Sequence, residues 1–124
     1  MTDFKHDRLP PDARGTIDKL EVSGVKFNVL FTRKGSYRSG DEHPNRQFDL
    51  VLSGEAEVTM MHRNVSGGAE ITRHVHAFDT LEIPRAVPHL FYFPVDTVML
   101  EWWDGPFEAT YYEPYRKIVE AQNA

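Results

Sequence analysis

From Val25 onward, apolar and polar residues alternate in short runs that turn-forming residues separate. The runs are rich in β-branched and aromatic residues, and the breaks contain pairs such as Ser53-Gly54. Several short strands at near-regular spacing are typical of an all-β sandwich or barrel. We therefore expect strands at residues 25–32, 47–52, 55–61, 70–76, 80–83, 89–93 and 97–103.

The two ends of the chain depart from this pattern. Residues 1–20 are polar and contain Pro10-Pro11, which is incompatible with a regular helix, so we expect an irregular arm with at most one short strand or turn. Residues 113–123 have apolar side chains at helical spacing after Pro114 and predict a short C-terminal helix. The predicted organisation is an N-terminal arm (1–23), an antiparallel β-barrel (24–104) and a C-terminal aromatic segment with a short helix (105–124).

The predicted strand at 47–52 carries apolar residues on both faces. Because side chains alternate along a strand, Gln47, Asp49 and Val51 share one face. The other face carries Phe48, Leu50 and Leu52. This pattern is expected of a strand between the barrel interior and a second layer or subunit.

Composition excludes several classes of function. A chain of 124 residues fits one domain, and its net charge of -5 without any basic run argues against a nucleic-acid or anionic-membrane partner. The absence of cysteine excludes disulfides, thiolate catalysis and thiolate metal sites. There is no signal-like leader and no apolar run of roughly 18 residues, so we expect a soluble cytoplasmic protein.

Two stretches inside the predicted barrel resemble the two motifs of the cupins. The first cupin motif reads Gly, five residues, His-x-His, three or four residues, Glu, six residues, Gly. Its spacing is present from Gly35 to Gly54, with His43 as the second histidine. Asp41 stands in place of the first histidine, and Gln47 stands in place of the glutamate.

The second cupin motif reads Gly, five residues, Pro-x-Gly, two residues, His. Pro84 and His89 have this spacing, although Phe78 and Ala86 replace the two glycines. The resemblance covers roughly residues 24–103 and is to small single-domain, RmlC-like cupins. It implies an all-β fold of the double-stranded antiparallel β-helix type, also called the cupin or jelly-roll barrel.

The resemblance also implies a metal site formed by Asp41, His43, Gln47 and His89. Two imidazoles and a carboxylate with open coordination positions suit a divalent ion such as Fe, Mn, Ni or Zn, and a neutral Gln binds more weakly than Glu. The alternative is a degenerate cupin in which the two histidines only form hydrogen bonds. Asp41 has an alternative role in a turn, because it follows Ser39-Gly40.

Asp49 is a candidate general base. A desolvated carboxylate inside the barrel has a raised pKa unless a cation is near, and such groups occur at catalytic sites. The alternative is an ion pair with an arginine: Arg38, Arg46 or Arg85.

His74-Val75-His76 forms a second His-x-His pattern, but it lies outside both motifs. We expect this pair to be exposed or to face another subunit.

These observations favour a metal-dependent enzyme of the isomerase, lyase or dioxygenase type, acting on a small polar or aromatic molecule in the barrel. One alternative is a non-catalytic cupin that binds a small molecule or sugar. Another is a metal-free isomerase, similar to the nucleotide-sugar ketoisomerases, with His43 and Asp49 as acid/base groups. The face formed by Phe48, Leu50 and Leu52 further predicts a homodimer, since exposed apolar patches usually mark interfaces.

Overall fold

The computed structural model describes residues 3–122 and contains two antiparallel β-sheets and one short helix. The strands are β1 (Phe4–Arg8), β2 (Gly15–Val22), β3 (Val25–Thr32), β4 (Ser36–Glu42), β5 (Gln47–Ser53), β6 (Glu55–His62), β7 (Ala69–His76), β8 (Thr80–Ile83), β9 (His89–Phe93), β10 (Thr97–Trp103) and β11 (Thr110–Tyr111), and the helix is α1 (Glu113–Gln122). The larger sheet has the strand order β1-β2-β3-β10-β5-β8, and the smaller has the order β11-β4-β9-β6-β7. The predicted all-β antiparallel barrel with a C-terminal helix is therefore confirmed.

The hydrophobic core lies between the two sheets. The alternation of side chains along β5 illustrates this arrangement. Gln47, Asp49 and Val51 are buried on the inner face of the strand, while Phe48 and Leu50 on its outer face are only half-buried. The predicted assignment of the two faces of this strand is confirmed. The other buried apolar residues of the core include Leu30, Ala56, Val58, Met60, Val75, Leu81, Ile83, Phe91, Phe93 and Met99.

The predicted irregular arm is wrong in its secondary structure. β1 pairs with β2, and β2 pairs with β3 along its whole length, so the first part of the chain extends the larger sheet. Pro10-Pro11 lie in the connection between the two strands. The polar composition concealed the strands, whose exposed side chains form ion pairs across the strand pair, such as Arg8 with Asp18 at 2.8 Å.

Strand β4 was also missed, because Ser39-Gly40-Asp41 has the composition of a turn. These residues instead form a β-bulge, where the pairing of β4 with β9 shifts between Ser39 and Asp41. Ser39 and Gly40 both have positive φ angles, of 84° and 75°. The bulge changes the alternation of the strand, so that Arg38 and Asp41 are both buried on the inner side although they are three residues apart.

Helix α1 and Tyr112, the residue before it, hold this bulge in place. The Tyr112 N–H donates to the Gly40 carbonyl at 2.9 Å, and the Arg116 guanidinium donates to the Ser39 carbonyl at 3.0 Å. A side chain at Gly40 would meet Arg116 Cα at 2.7 Å. Within residues 3–122, no helix has the length and apolar character needed to cross a membrane.

Candidate metal centre and barrel cavity

Three of the residues implied by the cupin motifs converge at one end of the barrel. Asp41 on β4 lies opposite His89 on β9, and His43 follows directly after β4. Asp41 Oδ1 is 3.3 Å from His89 Nε2 and 3.5 Å from His43 Nε2. The candidate ligand atoms of the three residues all lie within 4.8 Å of one another.

Main-chain carbonyls determine which nitrogen of each histidine faces the cluster. His43 Nδ1 is 2.8 Å from the Glu108 carbonyl, and His89 Nδ1 is 3.0 Å from the Val87 carbonyl. A carbonyl only accepts, so each Nδ1 carries a proton and Nε2 of each ring faces the Asp41 carboxylate.

His89 Nε2 is buried and has no hydrogen-bond partner among the described residues. Burial lowers the pKa of His89 to about 4, against the opposing effect of the Asp41 carboxylate, so the ring is neutral at pH 7. A lone pair directed at a carboxylate oxygen is unfavourable unless a cation lies between them.

The donor set fits a divalent metal ion. Two imidazole nitrogens and a carboxylate are a common combination for Zn and for Fe(II), and a carbonyl bonded to the other ring nitrogen is the usual outer support. Ser39 Oγ donates to Asp41 Oδ1 at 2.7 Å and so fixes the carboxylate. The turn role proposed for Asp41 is thus replaced by a position at the end of a strand, facing the barrel interior.

A cavity of about 540 Å³ adjoins this cluster, within the size range of small-molecule sites. Asp41, His43 and Gln47 line it, together with the apolar and aromatic side chains of Leu30, Phe91, Met99, Trp103 and Phe107. The cavity therefore offers a small molecule both polar and apolar contacts, and its lining also includes the charged side chains of Arg14, Lys19, Lys26, Arg38, Glu101 and Arg116.

Solved structures with the same architecture identify the fold. CapF with the inhibitor 3-isopropenyl-tropolone has a TM-score of 0.70 at 17% identity, over 88% of this chain and 34% of CapF. Oxalate decarboxylase OxdC of Bacillus subtilis has a TM-score of 0.68 at 18% identity, over 86% of this chain and 29% of that one. An oxalate oxidase has a TM-score of 0.62 at 20% identity, over 69% of this chain and 45% of that one.

The chain has the cupin fold. It spans about a third of the length of CapF, and identities this low establish the fold alone. No family model matches the sequence, and no curated protein matches it at a significant level.

Gln47 occupies the glutamate position of the cupin motif and is only 2% exposed. Its amide nitrogen donates to Asp49 Oδ2 at 3.0 Å, with Oδ1 at 3.3 Å. The amide oxygen is thus the atom that remains to serve as a ligand.

Among residues 3–122, no arginine forms an ion pair with Asp49, so that alternative is wrong. Its hydrogen-bond donor is Gln47, while Arg46 and Arg85 bind Asp104 on the outside of this cupin. Burial, followed by the nearby Glu101 carboxyl, raises the pKa of Asp49 well above its ordinary value.

Glu101 was not predicted as a site residue. Glu101 lies on β10, where it is opposite both Asp49 on β5 and Asn28 on β3. Asn28 Nδ2 donates to Glu101 Oε1 at 3.2 Å. Burial raises the pKa of Glu101 to about 7. Of the two carboxyl groups, it is Glu101 that lines the cavity. The sequence did not predict this residue, because Glu101 becomes a neighbour of Asp49 only through the register of β10 with β5.

The second His-x-His pattern lies away from this site, as predicted. His74 and His76 are exposed on β7, at the margin of the smaller sheet. Their nearest carboxylates are Glu57 at 3.8 Å and Glu55 at 3.6 Å.

Proposed function

We propose that this cupin is a metal-dependent enzyme of the isomerase, lyase or dioxygenase type, acting on a small polar or aromatic molecule in the barrel cavity. The observation that supports it is the convergence of the Nε2 atoms of His43 and His89 on the Asp41 carboxylate. A metal ion at this point would also provide a partner for the buried Nε2 of His89, which has none among the described residues.

Asp41, His43 and His89 would hold the ion, with the amide oxygen of Gln47 as a fourth ligand. Fe, Mn, Ni and Zn are the candidate ions, because each accepts imidazole and carboxylate ligands. When bound, the ion would act as a Lewis acid on a substrate oxygen. The aromatic side chains that line the cavity would pack against the substrate and orient it.

Asp49 is the proposed general base. Burial raises the pKa of the Asp49 carboxyl, which makes its ionised form a stronger base than an exposed carboxylate. Asp49 would share this role with Glu101, which lies opposite it on β10 and lines the cavity, whereas the Gln47 amide only donates a hydrogen bond to Asp49. Glu101 is therefore the carboxyl group that contacts the substrate first.

The metal-free acid/base isomerase is the second candidate. His43 Nε2 lies 3.5 Å from the Asp41 carboxylate while the Glu108 carbonyl holds Nδ1, an arrangement that orients a catalytic histidine. His43 and Asp49 would then be the acid/base pair. The third candidate is a cupin that only binds its ligand. It would retain the cavity but show neither metal-dependent nor acid/base catalysis.

Metal content after reconstitution tests the proposal. Chelator-treated protein is incubated with Fe(II), Mn, Ni or Zn, desalted and subjected to elemental analysis. We expect about one ion per chain for wild type and for the exposed-site control His74→Ala, and none for His89→Ala or His89→Gln. Circular dichroism checks that the variants are folded. If wild type retains none of the four ions, the metal-dependent function is wrong.

A further inference from the structure

Arg38 is a buried cation with unused hydrogen-bond donors. Its side chain lies in the barrel interior, and the residue is 5% exposed. Nε donates to Thr32 Oγ1 at 2.7 Å, and Nη2 donates to the Phe31 carbonyl at 3.3 Å. A guanidinium has five N–H donors, so these two bonds leave three without an acceptor among residues 3–122.

The charge of Arg38 is also unpaired, since no carboxylate of the described chain forms an ion pair with it. Asp12 is paired with Arg14 at 2.6 Å, and Glu101 accepts a hydrogen bond from Asn28, so both act on Arg38 only at longer range. Burial lowers the pKa of Arg38 to about 10, which still leaves the group charged at pH 7. The free N–H groups of Arg38 are not sealed from solvent, because the buried side-chain atoms without a partner among residues 3–122 are His89 Nε2 and Trp103 Nε1. These N–H groups are accessible from the cavity that Arg38 lines, where an anion from outside the chain would accept their hydrogen bonds.

The cavity provides the place for such an anion. Arg38 lines it, and the bulge in β4 brings Asp41 to the same inner side. Apolar side chains line the same cavity, among them Phe91, which is the cross-strand neighbour of Arg38. A ligand that contacts Arg38 with one end thus places an apolar body against these walls.

We propose that Arg38 binds the carboxylate of a small carboxylic acid whose remaining atoms are apolar or aromatic. The planar fork of a guanidinium matches the two oxygens of a carboxylate. Inorganic phosphate fits less well, because it has no apolar part to contact the aromatic walls of the cavity. This deepens the proposed function by naming a substrate class; it rests on the same cavity and does not require the metal.

Binding to the metal-free protein provides the test, with benzoate as the probe. Benzamide serves as the uncharged analogue, and inorganic phosphate as the competing anion. Calorimetry should show binding of benzoate and at least about tenfold weaker binding of benzamide and phosphate. Arg38→Gln should weaken benzoate binding by about tenfold or more. Lys5→Gln removes one positive charge from an exposed residue that does not line the cavity and should leave the affinity unchanged.

A measurement on wild type avoids dependence on the folding of the Arg38 variant. The Nε–Hε resonance of Arg38 should shift on titration with benzoate and stay in place with benzamide. An unshifted resonance, equal affinity of Arg38→Gln, or tighter binding of phosphate than of benzoate would each overturn the proposal. Because all measurements use chelator-treated protein, a failure of the metal-dependent function leaves this result unaffected.

Discussion

Glu101 lies directly opposite Asp49 on the neighbouring antiparallel strand, which places two carboxyl groups side by side in the barrel interior. Like charges in this position are destabilising, and burial adds to the cost of ionising either group. Two amides compensate in part, because Gln47 donates to Asp49 and Asn28 donates to Glu101. The pair therefore retains protons at a pH where exposed carboxyl groups have lost them.

Replacement of Glu101 by Gln should stabilise the metal-free protein at neutral pH. The pKa of Glu101 is raised from 4.5 to about 7, so the folded state holds a proton that the unfolded state has released. The free energy of unfolding of wild type should thus fall as the pH rises from about 4.5 to 7, by about 3 kcal/mol. Glu101→Gln should match wild type near pH 4 and exceed it above pH 7.

Urea unfolding of the metal-free protein between pH 4 and 8 measures this difference. Glu82→Gln, an exposed change on the adjacent strand β8, is the control and should follow the wild-type pH profile. A constant difference between Glu101→Gln and wild type at all pH values would show that Glu101 ionises normally.

Gly40→Ala should weaken metal binding through the backbone. The new methyl group would meet Arg116 Cα at 2.7 Å, and the positive φ of 75° is itself unfavourable for alanine. Relief of this clash displaces the bulge that positions Asp41. We expect a loss of about 2 kcal/mol in the free energy of unfolding, together with at least about tenfold weaker zinc binding.

Gly24→Ala is the matched control, because its φ is 83° and nothing lies within 4 Å of the added methyl group. Gly24→Ala should lower the free energy of unfolding only through the unfavourable positive φ. Its zinc affinity, measured by competition with a chromogenic chelator, should be unchanged. Equal zinc affinity in the two variants would show that the bulge does not support the site.

Gln47→Glu should tighten metal binding only when Asp49 is changed as well. A glutamate at position 47 supplies the charged ligand of the usual cupin motif, but it also places a carboxyl group where the Gln47 amide now donates to Asp49. Repulsion between the two acids opposes the gain. We expect Gln47→Glu with Asp49→Asn to bind zinc more tightly than Gln47→Glu alone, by about tenfold, in the same competition assay.

Asp49→Asn alone is the reference for that comparison, and its zinc affinity should stay near that of wild type. If Gln47→Glu binds zinc as tightly alone as in the double variant, Asp49 does not oppose a charge at position 47.

The protein should form a homodimer through the outer face of β5. Phe48 stacks on Trp102 at a ring distance of 5.7 Å, yet both rings remain partly exposed, and Leu52 extends the apolar surface beside them. Multi-angle light scattering at micromolar concentration should give twice the chain mass of 14.3 kDa. Leu50→Lys should shift the protein to the monomer, whereas a monomeric wild type would contradict the prediction.

The sequence was informative wherever the signal was local. The alternation in β5 predicted which of its side chains enter the barrel, and the fixed motif spacings led to Asp41, His43 and His89. Both kinds of pattern depend only on residues close together along the chain.

Features that depend on pairing between distant segments were not visible in the sequence. Glu101 and Asp49 become neighbours only through the register of β10 with β5. The inward position of Arg38 beside Asp41 depends on a bulge whose residues have the composition of a turn. Strand β2 was missed for a related reason, because its polar side chains are matched across the sheet by β1.

The segment between β10 and β11 has two tasks at once. The Glu108 carbonyl holds the Nδ1 proton of His43, and one residue earlier the Phe107 ring lies 5.4 Å from the same imidazole and closes one side of the cavity while remaining 58% exposed. A ligand that contacts the Phe107 ring in the cavity therefore lies next to the residue whose carbonyl fixes the His43 tautomer. One wall of the cavity and the orientation of a candidate metal ligand thus depend on the same short segment.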